Sequence, residues 1–312
     1  MLVSIVMPAY NAGLFIENAI GSIIAQEYQN WELLIADDGS TDNTRQIVDR
    51  YLDPRIKSFH NESNLGYLKA CNKVLALCRG QFITFQDADD WSAPDRLSKQ
   101  LAAFENNSEL GIVGTWARYQ TLQGAILREK KTPVSHEEIY QHMWQRNPFC
   151  GASIMVRKEV YDAIGGYKEY FDRIGNEDYD WAMRIVERFK AANLPEFLYF
   201  VQVTANSISR NIRSPRQLIS HDLVHFLAEQ RKFQNSDSLS GLDTSNLIEF
   251  EQRILQLYIK DKALIYRKAA DIAAYNREWK KVRYNAWKAW KAKPNSIINC
   301  KYLVSSLLGF RS

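Results

Sequence analysis

The sequence predicts an α/β protein: a mostly parallel sheet with helices on both faces, followed by a helical C-terminal region. Three observations carry this. Apolar, β-prone stretches alternate with stretches of helical period through the first 100 residues. The polar clusters that end those strands fall at one edge of the predicted sheet, where open α/β sheets bind ligands. After Pro215 no strand pattern returns, and helical periodicity is broken only near residues 235–244 and at Pro294.

The elements follow in order. Val3-Ser4-Ile5-Val6-Met7 is a buried strand ended by Pro8. Phe15, Ile16, Ala19, Ile20, Ile23 and Ile24 then recur at helical spacing. Trp31 to Ala36 is a second strand, ended by Asp37-Asp38-Gly39-Ser40, and Thr41-Asp42 opens a helix carrying Ile47, Val48 and Tyr51. Ile56 to His60 is a third strand, Leu68 to Leu77 a helix, and Gln81 to Phe85 a fourth strand. Beyond residue 111 the alternation weakens. Ile112 to Trp116, Ala152 to Val156 and Phe197 to Val203 read as strands, and Asn176 to Trp181 opens a helix through Val186. Two domains are expected, residues 1–210 and 211–312.

Composition narrows the function. The chain has 312 residues, 46% hydrophobic and 24% charged, ordinary for a folded domain. No apolar run reaches the roughly 18 residues of a membrane span. No basic region precedes the apolar Leu2 to Ala9 stretch, so no signal peptide is expected. Cys71, Cys78, Cys150 and Cys300 form no CxxC pair, which fits a reducing compartment and a cytoplasmic location. The net charge of +4 is unevenly spread: residues 260–312 hold 13 Lys/Arg against 3 Asp/Glu. That balance points the C-terminal region toward an anionic surface.

The fourth strand ends in Asp87-Ala88-Asp89-Asp90, three carboxylates within four residues. Like charges so placed repel, and a bound cation relieves the repulsion. Asp-x-Asp at a strand end suits Mn²⁺ or Mg²⁺, with phosphate oxygens completing the coordination. The plainer reading is an acidic turn before the helix start at Pro94-Asp95-Arg96-Leu97.

With these residues assembled, the first 210 resemble a family 2 glycosyltransferase of the GT-A fold. The likeness runs in order through Ser4 to Asn11, Ser22 and Gln26, Asp37 to Asp42, and Asn64-x-Gly66 with Ala70 and Asn72. It continues through Asp87 to Asp90 with Pro94 to Leu97, and ends at Glu177-Asp178 with Arg184. The resemblance implies a nucleotide-sugar donor and a glycan or lipid-linked acceptor. Pro8, Ala9 and Tyr10 would bracket the base. Asp38 would accept a hydrogen bond from uracil, which favours a UDP-linked donor and leaves GDP and dTDP open. Asn64 and Gly66 would shape the loop under the nucleotide, where Gly66 also suits positive φ. Lys69 would approach phosphate or lie on a solvated helix face. Asp89 would ligate the metal. Asp87, within the Asp87-Ala88-Asp89 motif, would contact the ribose or reach the metal through water. Asp90 is expected to be a structural cap.

Asp178, at a helix start, is the expected general base, with Glu177 and Trp181 on the acceptor. A single displacement of this kind inverts the anomeric centre. One departure stands out: where relatives carry Arg and His before the Ser207-Ile208-Ser209-Arg210 stretch, this chain has Gln202 and Thr204.

In the C-terminal region Ile272, Tyr275, Trp279, Val282, Ala286 and Trp290 form one helical stripe, with lysines mostly opposite. Two readings stand: a peripheral contact with the anionic inner face of a membrane, the stripe entering the headgroups, or plain helical packing. The region also resembles a tetratricopeptide-like helical pair. No nucleic-acid motif is present. The expected activity is inverting, metal-dependent sugar transfer in surface polysaccharide synthesis. The alternatives are a non-catalytic nucleotide- or glycan-binding module and a sugar nucleotidyltransferase. The latter prefers a Gly-rich basic loop that Pro8 to Gly13 lacks.

Overall fold

The computed structural model describes residues 1–203, 214–241, 243–275 and 277–308. The chain divides into two compact units, Met1–Thr204 and Ala205–Ser312. The boundary expected near residue 210, Thr204 and the Ser207 to Arg210 stretch all lie outside the described residues.

The first unit opens as β1 (Val3–Ala9), α1 (Ile16–Ile24), β2 (Trp31–Asp37), α2 (Thr44–Val48), β3 (Ile56–His60), α3 (Tyr67–Leu75) and β4 (Phe82–Phe85). Then come β5 (Trp91–Ser92), α4 (Arg96–Asn106), β6 (Leu110–Gln120), β7 (Ile126–Lys130) and α5 (His136–Met143). The unit closes with β8 (Met155–Arg157), α6 (Lys158–Ile164), α7 (Glu177–Val186) and β9 (Lys190–Gln202).

The sheet order is β3-β2-β1-β4-β8-β6-β9-β5, with β7 paired to β6. The first four strands are parallel, as the alternation predicts. β8 enters antiparallel to both β4 and β6, while β6 and β9 pair in parallel. The sheet is therefore mixed beyond β4. β7 adds a further antiparallel pair, because the short 121–125 connection folds it back on β6 as a hairpin. β9 is longer than the expected Phe197 to Val203, because it continues through Pro195. Proline is tolerated there since the ladder slips between Leu194 and Phe197.

β1 and β2 are buried along their whole length, as strands covered on both faces must be. The apolar face of α1, Ile16, Ala19, Ile20 and Ile23, is fully buried in the main core with Val3, Ile5, Leu33 and Phe82.

The second unit is helical: α8 (Pro215–Gln234), α9 (Ser245–Lys260), α10 (Lys262–Tyr275), α11 (Trp279–Ala292) and α12 (Ile297–Leu308). The breaks expected at 235–244 and Pro294 separate α8 from α9 and α11 from α12. Ser214 and Gln217 form a reciprocal cap that starts α8. Of the α11 stripe, Val282 and Ala286 are fully buried within this unit while Trp279 and Trp290 stay partly exposed, so its middle is a packing seam, as the second of the two readings expects. Among the described residues, no helix is long and apolar enough to cross a membrane.

Candidate active site

The carboxyl ends of β1, β2, β3 and β4 bring four loops together. After β1, Asn11 adopts φ 50 and its side chain accepts the Thr41 N–H at 2.8 Å. The Asn11 N–H donates to Ser40 Oγ at 2.9 Å, and the Gly13 N–H to Asp42 at 3.0 Å. The Pro8-Ala9-Tyr10 backbone is thereby fixed against the second loop, with the Tyr10 ring exposed.

Asp38 is buried and holds the third loop. Its Oδ1 accepts from Asn61 Nδ2 at 2.8 Å and the Leu65 N–H at 2.9 Å, and its Oδ2 accepts the Gly66 N–H at 2.8 Å. A carboxylate offers about four acceptor positions, so one is left for a ligand. Gly66 sits at φ 100, and a Cβ there would come 2.9 Å from Asp172 Oδ1. Both facts require glycine. Asn64 is exposed, and its carbonyl accepts from Arg173 at 3.4 Å. Lys69 pairs with Asp172 at 3.3 Å and is half exposed.

The Asp87 loop is held from two sides. Tyr67 donates its hydroxyl to Asp87 Oδ1 at 3.2 Å, and the Asp87 N–H donates to the Tyr199 hydroxyl at 3.0 Å. Ala88 is buried beneath the loop. Asp90 is buried and accepts the Gln202 N–H at 2.8 Å, so its role is structural. Burial and the neighbouring Asp89 push Asp87 up to about 7, and burial raises Asp89.

Among the described residues, no three His, Cys, Asp or Glu side chains are arranged to hold an ion alone. Asp87 and Asp89 fit an ion that takes its other ligands from substrate phosphate and water, the usual arrangement for Mg²⁺. Their mutual repulsion is the strain a cation relieves.

Asp178 and Glu177 open α7. Three residues of the preceding turn adopt positive φ, Arg173 at 58, Gly175 at 89 and Asn176 at 65. Asp178 Oδ1 accepts the Tyr179 N–H at 2.8 Å, and its Oδ2 accepts from Asn147 Nδ2 at 3.2 Å. Burial raises the Asp178 carboxyl, against the pull of Lys130 and these donors. Burial and the adjacent Asp178 push Glu177 up to about 8. Gly151 lies directly against Asp178: a Cβ there would sit 2.7 Å from Oδ2.

Trp181 is corrected. It is fully buried, donates Nε1 to the Gly165 carbonyl at 2.7 Å, and packs edge-on to Phe85 and Tyr167. It offers no face to an acceptor, because α7 is buried from Tyr179 onward. Arg184 is also structural, bonding Asp180 and the Ile164 and Gly166 carbonyls.

Other motif residues build the frame. Gln26 bonds the Ala93 carbonyl and the Leu97 N–H, and Asn72 clasps both main-chain groups of Tyr167. Arg96 is fully buried and donates to the carbonyls of Phe85 and Ala152, both at 3.1 Å. Sequence reasoning missed Lys130, Asn147, Gly151, Tyr67 and Tyr199. Tyr67 alone had a signal, its place directly after Asn64-x-Gly66.

Polar loops at one sheet edge, paired carboxylates at one strand end and a carboxylate on a helix start suit a group-transferring enzyme. The chain belongs to glycosyl transferase family 2, whose family model matches residues 4–165; it is a glycosyltransferase. TuaG of Bacillus subtilis (strain 168), assigned to teichuronic acid biosynthesis, is 42% identical over 218 residues, 67% of this chain and 82% of TuaG. The Escherichia coli UDP-Glc:alpha-D-GlcNAc-diphosphoundecaprenol beta-1,3-glucosyltransferase WfgD is 44% identical over 115 residues, 37% of this chain and 46% of WfgD. Among solved structures, S. aureus TarS in complex with UDP-GlcNAc superposes with a TM-score of 0.61 at 18% identity. That match covers 99% of this chain and 92% of that chain, and shows the shared GT-A fold.

Proposed function

We propose that the chain transfers a sugar from a UDP-linked donor to a hydroxyl of a glycan or lipid-linked acceptor, with inversion, in surface polysaccharide synthesis. Transfer would take place in the cytoplasm, at the inner face of the membrane. The observation that carries this reading is geometric: buried Arg96 donates both to the Phe85 carbonyl, at the end of the strand that leads to Asp87, and to the Ala152 carbonyl, next to Gly151, which lies against Asp178. Donor and acceptor chemistry therefore share one locus. Support for the donor and acceptor classes comes from the names of WfgD and TuaG and from the UDP-GlcNAc held by TarS.

The roles follow from chemistry. Pro8, Ala9 and Tyr10 line the base, and the free acceptor position on Asp38 suits the N–H of uracil. Asn64 and Gly66 carry the loop beneath the nucleotide, and Lys69 exchanges its Asp172 partner for phosphate. Asp87 and Asp89 would hold Mn²⁺ or Mg²⁺, with Ala88 keeping their spacing. When bound, the ion supplies Lewis-acid stabilisation of the departing diphosphate. Asp178 takes the acceptor proton as the new C–O bond forms and the bond to the diphosphate breaks. A base raised by burial is better matched to that task than an ordinary carboxylate. Glu177 keeps its proton at neutral pH and can donate a hydrogen bond to the acceptor.

Thermal unfolding in Mn²⁺ with UDP-, GDP- and dTDP-sugars tests the donor. A ligand at 100 times its Kd adds about 2.7 kcal/mol. UDP-sugars should stabilise the protein and Asp89→Ala should lose the Mn²⁺-dependent part. Equal response to all three nucleotides, or an unchanged Asp89→Ala, defeats the assignment.

A further inference from the structure

We propose that the outward face of α11, continued by α12, is a docking surface for an anionic lipid layer. At 3.6 residues per turn, Lys280, Tyr284, Trp287 and Lys291 fall opposite the buried Val282, Ala286 and Ala289. Tyr284 is 56% exposed and Trp287 41%. Two large aromatics thus occupy the side of the helix turned furthest from its packing seam. Their rings lie 6.4 Å apart, with Lys288 Nζ 5.4 Å from the Tyr284 ring and Lys291 Nζ 5.1 Å from the Trp287 ring.

The same signature recurs on α12. Ile297 and Val304 are 74% and 54% exposed, opposite the buried Asn299 and Ser306, and Lys301 lies between them. From residue 279 to residue 312 the sequence holds eight Lys/Arg and no Asp/Glu. Positive charge with no carboxylate, exposed aromatic rings that carry a polar tip, and exposed aliphatics together match the headgroup region of an anionic bilayer. Nucleic acid would use the aromatics and lysines but has no use for exposed Ile297 and Val304, so lipid is the better fit. This face is distinct from the middle of the stripe read from the sequence, where Val282 and Ala286 are packed inside.

The inference rests on the surface of the second unit and not on the transfer reading. Its test measures binding without turnover, so either can fail alone. The full chain is sedimented with vesicles of phosphatidylglycerol and phosphatidylcholine, and with phosphatidylcholine alone. Binding should need the anionic lipid and fall steeply between 0.05 and 0.5 M salt on the order expected from screening. Lys288→Gln/Lys291→Gln should weaken it by about fivefold per lysine. Tyr284→Ser/Trp287→Ser should also weaken it, and at high salt should abolish what remains. Tyr284, Trp287 and Lys291 are exposed and Lys288 is half-buried, so unfolding midpoints should stay near wild type; should one pair fail to fold, the other and the wild-type salt series still decide. Absence of vesicle binding, equal binding to neutral vesicles, or variants that bind as wild type overturns the proposal. Tighter binding to single-stranded RNA than to anionic vesicles, lost in the lysine pair, overturns it in favour of nucleic acid.

Discussion

The two halves of the sheet in the first unit build their parts of the site differently. From β1 to β4, each site residue lies within a few positions of a strand end, and its neighbours come from the next loops of the same parallel array. From β6 to β9, the groups around one carboxylate come from a hairpin strand (Lys130), the segment after α5 (Asn147), a 3-10 turn (Gly151) and a helix start (Asp178). A parallel array displays its chemistry at one edge by construction. The mixed half has to assemble it from distant segments. The Asp38 and Asp87 loops are therefore held by hydrogen bonds between neighbouring loops, while the Asp178 end depends on close packing.

The largest break in that contrast is Asp178→Asn, nearly isosteric and unable to take the proton. Turnover should fall by about 10² to 10⁴-fold, with UDP affinity unchanged by titration calorimetry. A parallel loss of donor affinity would show that the halves do not work separately.

Gly151→Ala should come next. Its methyl would press on Asp178 Oδ2 from 2.7 Å. Displacing a reacting group by about 1 Å can cost on the order of 10²-fold. Single-turnover rates should drop by about that much while donor binding holds. An unaffected rate would mean that the turn yields and the packing is looser than drawn.

The smallest effect is on stability. Glu177, ordinarily near 4.5, is pushed up to about 8 by burial and by Asp178. A carboxyl raised in the folded state stabilises fully below its unfolded pKa, and that contribution is lost as pH rises through about 8. Between pH 5 and about 8 the wild type should therefore lose stability that Glu177→Gln retains, read from urea midpoints. Identical pH slopes in the two proteins would place Glu177 in water.

The same contrast explains what was legible beforehand. β1 to β4 and their loops follow from alternation and from strands ending in polar clusters, so Asp38, Gly66, Asp87 and Asp89 could be singled out. Motif likeness did not separate function from framework. Gln26, Asn72, Asp90 and Arg184 all belong to the pattern, and the structure spends each of them on holding the backbone. Trp181 was misread because α7 is buried all round from Tyr179 onward, which leaves no exposed face for an aromatic there. Lys130, Asn147 and Gly151 left no sequence trace, since their meaning is a contact made 27 to 48 residues away along the chain. On α11 the periodicity was real, and of its two readings packing holds at Val282 and Ala286: hydrophobic period locates a stripe, and only burial shows which of its positions are covered.

Arg96 bears on how such an enzyme can be re-engineered. Its guanidinium spans the carbonyl that precedes the donor carboxylates and the carbonyl beside Gly151. A lysine, with one compact ammonium, does not reproduce a planar fork between two fixed acceptors. Donor and acceptor halves are thus not interchangeable cassettes. A chimera that imports a new acceptor half must bring the Ala152 carbonyl back to the same fork, or inherit a buried cation with nothing to hold.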